Sequence, residues 1–171
     1  MSSGATQARL HIADGVDRDM PVRQTEGAPI VAAIDGSSAS TVAVETAVHL
    51  AAELDAPIVF VYVRRGPAGY LGTPVYQRRL TPEMERGRRV LDEALEAAAA
   101  AGVNAEGEIL EGRPRRRITE FARSRKARFV VVGSRPRKVG RSVSRGVAHA
   151  AGRPVVVAQG LRQLAVAGKA G

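Results

Sequence analysis

There is no cysteine in the 171 residues. That excludes a disulfide framework, a thiolate-ligated metal and thiol catalysis. Tryptophan is absent and the three aromatics together make up 4% of the chain. Base-stacking platforms for single strands are built from aromatics, so that mode is disfavoured and the core falls to Ala, Val and Leu. No apolar run approaches the roughly 18 residues needed to cross a bilayer, so no membrane partner is expected. The first 28 residues hold no apolar stretch of the secretory type, which makes the cytoplasm the expected compartment. The three histidines, His11, His49 and His149, are too scattered for a metal site or a triad and are taken as structural. Acids are scarce in one region: Arg113 to Arg145 holds 13 Lys/Arg against Glu120 alone, so this fifth of the chain carries the whole of the +9 net charge. Such a field gathers phosphate-rich partners, or is a solvated arginine face.

What is present is an alternation of strand and helix signals. Residues 1–28 are polar, mixed in charge and without a sustained period, and are expected to be a disordered tail; the Ala- and Gly-rich residues 159–171 are expected to be a second one. Between them, residues 29–158 form one domain. Pro29 to Asp35 is a buried-strand run ending at Gly36. Ser37 to Asp55 has helical apolar spacing, with Ser37 or Ser38 as N-cap. Ile58 to Val63 is a second strand. Arg64 to Leu80 is rich in Gly and Pro and is expected to be a long loop. Thr81-Pro82-Glu83 predicts a helix start, with the helix stopping at Gly102. Val103 to Leu110 is a strand, Pro114 to Lys126 a helix, Phe129 to Gly133 a strand, Ser142 to Ala151 a helix and Pro154 to Ala158 a strand. The order implies an α/β fold: an open five-stranded parallel sheet with helices on both faces.

In such sheets ligands bind outside the carboxyl ends of the strands, where the strand order reverses. Asp35-Gly36-Ser37, Val61 and Val63, the Gly133-Ser134-Arg135 loop and Ser142-Val143-Ser144 converge on that edge. Asp35 either caps the next helix or hydrogen-bonds a ligand hydroxyl or ring nitrogen. Gly133 either lets backbone approach phosphate or makes the turn. Ser142 and Ser144 either donate to phosphate or cap the helix. Other chemistry finds no support. A Walker loop has four residues between its first Gly and Gly-Lys-Ser/Thr, whereas Gly133 to Gly140-Arg-Ser has six and no Lys. There is no Gly-x-Ser-x-Gly elbow, no His-x-Gly-His or Ser-Gly-Gly signature, and no pair of carboxylates with an obvious base.

Pro29 to Val63, Glu111-Gly112-Arg113-Pro114, Val130 to Arg135, Ser142 to Ser144, and His149-Ala150 leading to Pro154 to Val157 together resemble the universal stress protein family. The resemblance covers about residues 29–158 in order. It implies a Rossmann-like fold of the adenine nucleotide alpha hydrolase type and a homodimer formed through the last strand, here residues 153–158. One branch of the family binds ATP and another does not. In ATP-binding members an Asp after the first strand and a Val ending the second hold the adenosine. Their phosphate loop runs Gly, two residues, Gly, nine residues, Gly, then Ser or Thr. Asp35, Val63, Gly133 and Ser142 stand at those positions. Two departures set this chain apart. Pro136 replaces the second Gly and has no N–H. Arg141 stands where the last Gly belongs, eight positions after Gly133 where the family has 13, with Gly140 beside it. Arg135, Arg137, Lys138 and Arg141 supply positive charge instead.

The expectation is a cytoplasmic stress-response or regulatory binding module, not an enzyme, with ATP or another adenine nucleotide as its ligand, with or without Mg²⁺, or another phosphate anion. The degenerate, shortened glycine loop weakens that binding. The binding set is Asp35, Gly36, Ser37, Val63, Gly133, Ser134, Arg135, Gly140, Ser142, Val143 and Ser144; no catalytic and no metal-ligating residue is expected. Two alternatives stand beside it. One is a weak ATP hydrolase orienting ATP and Mg²⁺ with Asp35 and the Arg/Ser loop, which lacks a general base. The other is a polyanion-associated protein using the 113–145 field, touching nucleic acid only non-specifically.

Overall fold

Four short runs of β-branched and aromatic residues, and two that alternate polar and apolar, become parallel strands, and three of the segments between them coil over the sheet. The computed structural model describes residues 9–12, 27–65, 74–134, 147, 152 and 154–158. In chain order the elements are β1 (Arg9–Ile12), β2 (Ile30–Ile34), α1 (Ser38–Leu54), β3 (Ile58–Arg64), α2 (Pro74–Ala100), β4 (Ala105–Glu111), α3 (Pro114–Ser124), β5 (Phe129–Gly133) and β6 (Val155–Ala158). The sheet order is β1-β4-β3-β2-β5-β6, with every pairing parallel.

The five strands expected from the sequence are there, as the Rossmann-like arrangement requires. The sixth, β1, is a correction: residues 1–28 do not all lie outside the sheet, because Arg9–Ile12 pairs with β4. Four alternating residues are too short a run to stand out from a polar segment, yet the otherwise unpaired edge of β4 offers them a complete ladder. The remaining residues of 1–26, and 159–171, lie outside the described residues.

Strand order explains the layers. From β2 the chain steps outward to β3 and β4, then returns past β2 to β5. Right-handed crossovers put helices on one face while the chain steps one way and on the other face once it reverses. So α1 and α2 share a face with Ile30, Ala32, Ile34, Ile58, Phe60, Tyr62 and Ile109. The other face, with Val31, Val59, Val61, Leu110, Val130 and Val132, is covered by Ile118 and Ala122 of α3 and by Val147. Alanines do the packing of α1: Ala43, Ala47 and Ala51 recur every fourth residue and are all but fully buried, which lets the helix backbone lie close on the sheet. α2 comes as close at Gly87, where an added methyl would sit 2.8 Å from Tyr62 Cδ1.

Some boundaries moved. The loop expected over Arg64 to Leu80 is shorter at both ends: Arg64 belongs to β3, and α2 begins at Pro74. Proline is tolerated at a first helical position, so Pro74 starts the helix and Pro82, expected to start it, lies inside. The third expected strand is Ala105–Glu111, and α3 ends at Ser124. Of the helix expected over Ser142 to Ala151, only Val147 is described, helical and fully buried.

Candidate functional site

The reversal in strand order falls at β2, with β3 on one side and β5 on the other. The carboxyl ends of β2 and β5 therefore lie side by side, and the segments leaving them part to opposite faces. That opens the crevice in which parallel sheets hold ligands.

Asp35-Gly36-Ser37 forms one lip. Gly36 has φ +73, a left-handed turn that only glycine adopts without strain. It brings Ser37 back over Asp35, whose Oδ1 accepts from the Ser37 amide at 3.1 Å and from the Ser37 hydroxyl at 2.5 Å. Ser37 in turn caps α1: its Oγ accepts from the Ser40 amide at 3.3 Å, and its carbonyl from Ser40 N at 2.8 Å. The N-cap is thus Ser37, neither Asp35 nor Ser38. Asp35 holds the turn and remains exposed, its carboxylate lying where the positive end of α1 begins.

Gly133 and Ser134 form the other lip. A methyl on Gly133 would lie 2.2 Å from the Ala39 carbonyl oxygen, so only glycine lets β5 end against the first turn of α1. The Ser134 amide donates to the Ala158 carbonyl at 2.9 Å. That N–H extends the β5–β6 ladder and is not a donor for a phosphate, which leaves Ser134 its half-buried side chain. Val63 is one strand further over, half-buried among the valines of the α3 face. Arg135, Gly140, Ser142, Val143 and Ser144, with Pro136, lie outside the described residues.

Two features of this edge escaped the sequence reasoning. Arg64 continues the alternation of Ile58, Phe60 and Tyr62 and points to the same face; it is 5% exposed, ion-paired with Glu111, and its Nη1 has no partner. The period-two pattern carried that signal, but the Gly/Pro run that follows masked it. Tyr62 is the other. Its buried phenol is held above its usual pKa by desolvation, then by the Glu83 carboxylate, with Asp35 adding in the same sense and Arg86 opposing. Tyr62 thus places a neutral hydroxyl between α2 and the β2 lip. Among the described residues no group of three His, Asp or Glu is arranged to hold a metal, and no helix is long and apolar enough to cross a membrane. A depression of about 420 Å³ lies at the amino ends of β3 and β4, lined by Asp55, Pro57, Gly102 and Asn104. It is at the opposite end of the sheet from these groups.

A parallel sheet with a reversal at its second strand, and an Asp-Gly-Ser turn facing a glycine across that reversal, defines a Rossmann-like α/β protein of the kind that binds ligands at its carboxyl edge. The model of the universal stress protein family matches residues 28–159. The chain belongs to that family. It is 34% identical over 108 residues to a universal stress protein of Methanocaldococcus jannaschii, a match that covers 61% of this chain and 63% of the relative, just under two thirds of that protein's length. Among solved structures, a universal stress family protein from Burkholderia pseudomallei superposes with a TM-score of 0.64 at 29% identity, covering 76% of this chain and 94% of that one. A universal stress protein solved in complex with cAMP superposes at 0.59 with 29% identity, covering 76% and 94%.

Proposed function

We propose that this protein is a cytoplasmic stress-response regulatory module that binds an adenine nucleotide at the carboxyl ends of β2 and β5 and does not turn it over. The observation that carries this reading is the juxtaposition of the Asp35 lip with Gly133 across the strand reversal. It is supported by the cAMP complex of a relative 29% identical. The described residues fit such a ligand in part. Asp35 offers an exposed carboxylate to a ribose hydroxyl, and Gly133 keeps the floor open beside the α1 N-terminus. The phosphates would fall to Arg135, Gly140, Ser142, Val143 and Ser144, where Pro136 has already removed one N–H. The use of the Ser134 amide in the sheet removes another. Each lost donor to a charged oxygen removes roughly 1.5–3 kcal/mol, so AMP and cAMP hold on as well as ATP does, and any Mg²⁺ arrives with the phosphates rather than on a protein site.

Calorimetric titration of nucleotide-free protein with ATP, AMP and cAMP, with and without Mg²⁺, tests the reading. Binding that Asp35→Ala weakens supports it, and no heat from any of the three refutes it. ATP bound tightly enough to survive purification would refute the weakened phosphate grip. The same module is proposed to dimerise through β6, whose half-exposed valines, with Val157 at 37% exposure, end the sheet. Sedimentation as a monomer at micromolar concentration would refute that.

A further inference from the structure

We propose that the solvent face of α3 is a docking surface for the phosphate backbone of duplex nucleic acid, separate from the nucleotide crevice. Arg113, Arg116, Glu120 and Arg123 follow one another at three- and four-residue steps, with Arg117 beside Arg116 and three residues before Glu120, so they share one face of the helix. The opposite face, Ile118, Thr119 and Ala122, is buried on the sheet. The first turn of α3 holds no acid, and Arg113 at the N-cap position makes no side-chain cap. Positive side chains and the positive end of the helix dipole thus coincide, an arrangement that costs stability and has no explanation inside the fold. Glu120, the one acid of α3, is held by Arg116 at 2.7 Å and Arg117 at 3.1 Å, while the Arg116 side chain remains 76% exposed. Arg115 is exposed within the same helix, and Lys126 and Arg128 extend the exposed charge beyond the carboxyl end of the stripe.

The shape chooses among polyanions. The stripe is convex and about 16 Å long at 1.5 Å per residue. A thread-like polyphosphate wants a groove, whereas a major groove about 12 Å wide admits a helix of this diameter with phosphates along both rims. No aromatic side chain lies on the stripe, so the contact reads charge and shape rather than sequence. The first turn of α3 follows the carboxyl end of β4, two strands from β2 and three from β5, or about 10 Å from the near lip of the nucleotide crevice and about 14 Å from the far one at 4.7–4.9 Å per strand. Both ligands can be held at once.

The test is binding of a labelled random-sequence DNA duplex to the full chain, without nucleotide, at several salt concentrations. Three phosphate contacts predict a loss of roughly 40-fold between 50 and 200 mM salt. The triple variant Arg113→Gln, Arg116→Gln, Arg123→Gln, shown folded by its melting curve, is expected to bind at least tenfold more weakly and to flatten the salt slope by about 2.7. Glu120→Gln is expected to tighten binding, a gain that damage to the fold would not produce. Saturating ATP is expected to leave the duplex bound, even if ATP itself proves not to bind. The proposal is overturned if the triple variant binds like the parent, if Glu120→Gln weakens binding, if ATP displaces the duplex, or if a polyphosphate chain of equal charge outcompetes it.

Discussion

The Gly133 α-carbon lies against the Ala39 carbonyl so closely that a methyl on Gly133 would sit 2.2 Å from that oxygen. The glycine that ends β5 is therefore fixed by its contact with α1 whether or not a ligand comes. Gly133→Ala must push the first turn of α1 off the sheet, and with it the Ser37 cap and the Asp35 turn. Overpacking of this kind costs about 2 kcal/mol, which in a chain of this size lowers Tm by about 4–8 °C. A calorimetric scan would check the stability, and a nucleotide titration of the same variant should show weaker binding, because the two lips move together. Ser134→Ala leaves the ladder bond from its amide intact and is expected to change Tm little.

Arg64 and Glu111 make an unequal ion pair. The arginine is 5% exposed and the carboxylate 44% exposed. Removing the exposed partner strands a buried guanidinium whose Nη1 already lacks an acceptor. Removing the buried partner releases a carboxylate that water can solvate. Glu111→Gln is expected to lower stability by roughly 1–3 kcal/mol, whereas Arg64→Met, which fills the same space with an apolar chain, is expected to be neutral or stabilising. Urea unfolding of both variants checks the order, and equal losses would contradict the asymmetry.

The Tyr62 phenol, raised by burial and then by Glu83, keeps its proton in the folded chain to a higher pH than in the unfolded one, whose value is near 10.0. Unfolding then releases a proton, so this contribution to stability is complete below pH of about 10 and is lost as pH rises through the folded value. Tyr62→Phe removes the titrating group. It is expected to cost about 1 kcal/mol at neutral pH through the lost hydrogen bond to Glu83, and to flatten the alkaline limb of the stability curve. Denaturant melts from pH 8 to 11 check both halves.

The sheet was legible in the sequence because its strands differ so plainly from their surroundings. Ile30–Ile34, Ile58–Arg64 and Phe129–Gly133 are nearly unbroken apolar runs, the mark of strands buried on both faces. The Asp35 and Gly133 lips were legible too, since each ends such a run. The roles of the groups within them were not. That the Ser134 amide belongs to the β5–β6 ladder depends on register, which no local pattern states. The start of α2 was hidden by a segment whose prolines read as breakers but include one that begins a helix. Arg64 was hidden because a charged residue at the end of an apolar run looks like the run's boundary.

β1 was the least legible element, and its removal gives the last prediction. Composition alone marks residues 1–28 as dispensable. The register instead sets Arg9 opposite Glu106 and His11 opposite Glu108, with Leu10 and Ile12 opposite Gly107 and Ile109. Basic positions thus stand beside two acids that have Arg125 at 3.9 and 4.0 Å, and apolar positions stand on the face that α2 covers. Deleting residues 1–12 removes this strand and uncovers the β4 ladder, an edge able to pair with another chain. The truncated protein is expected to melt a few degrees lower and to associate further as its concentration rises. Glu106→Lys in the full chain, which sets like charges opposite each other, is expected to lower Tm in the same direction. Light scattering and melting curves of both, beside the parent, check this. Unchanged melting and unchanged mass in the truncated protein would mean that β4 closes the sheet without help.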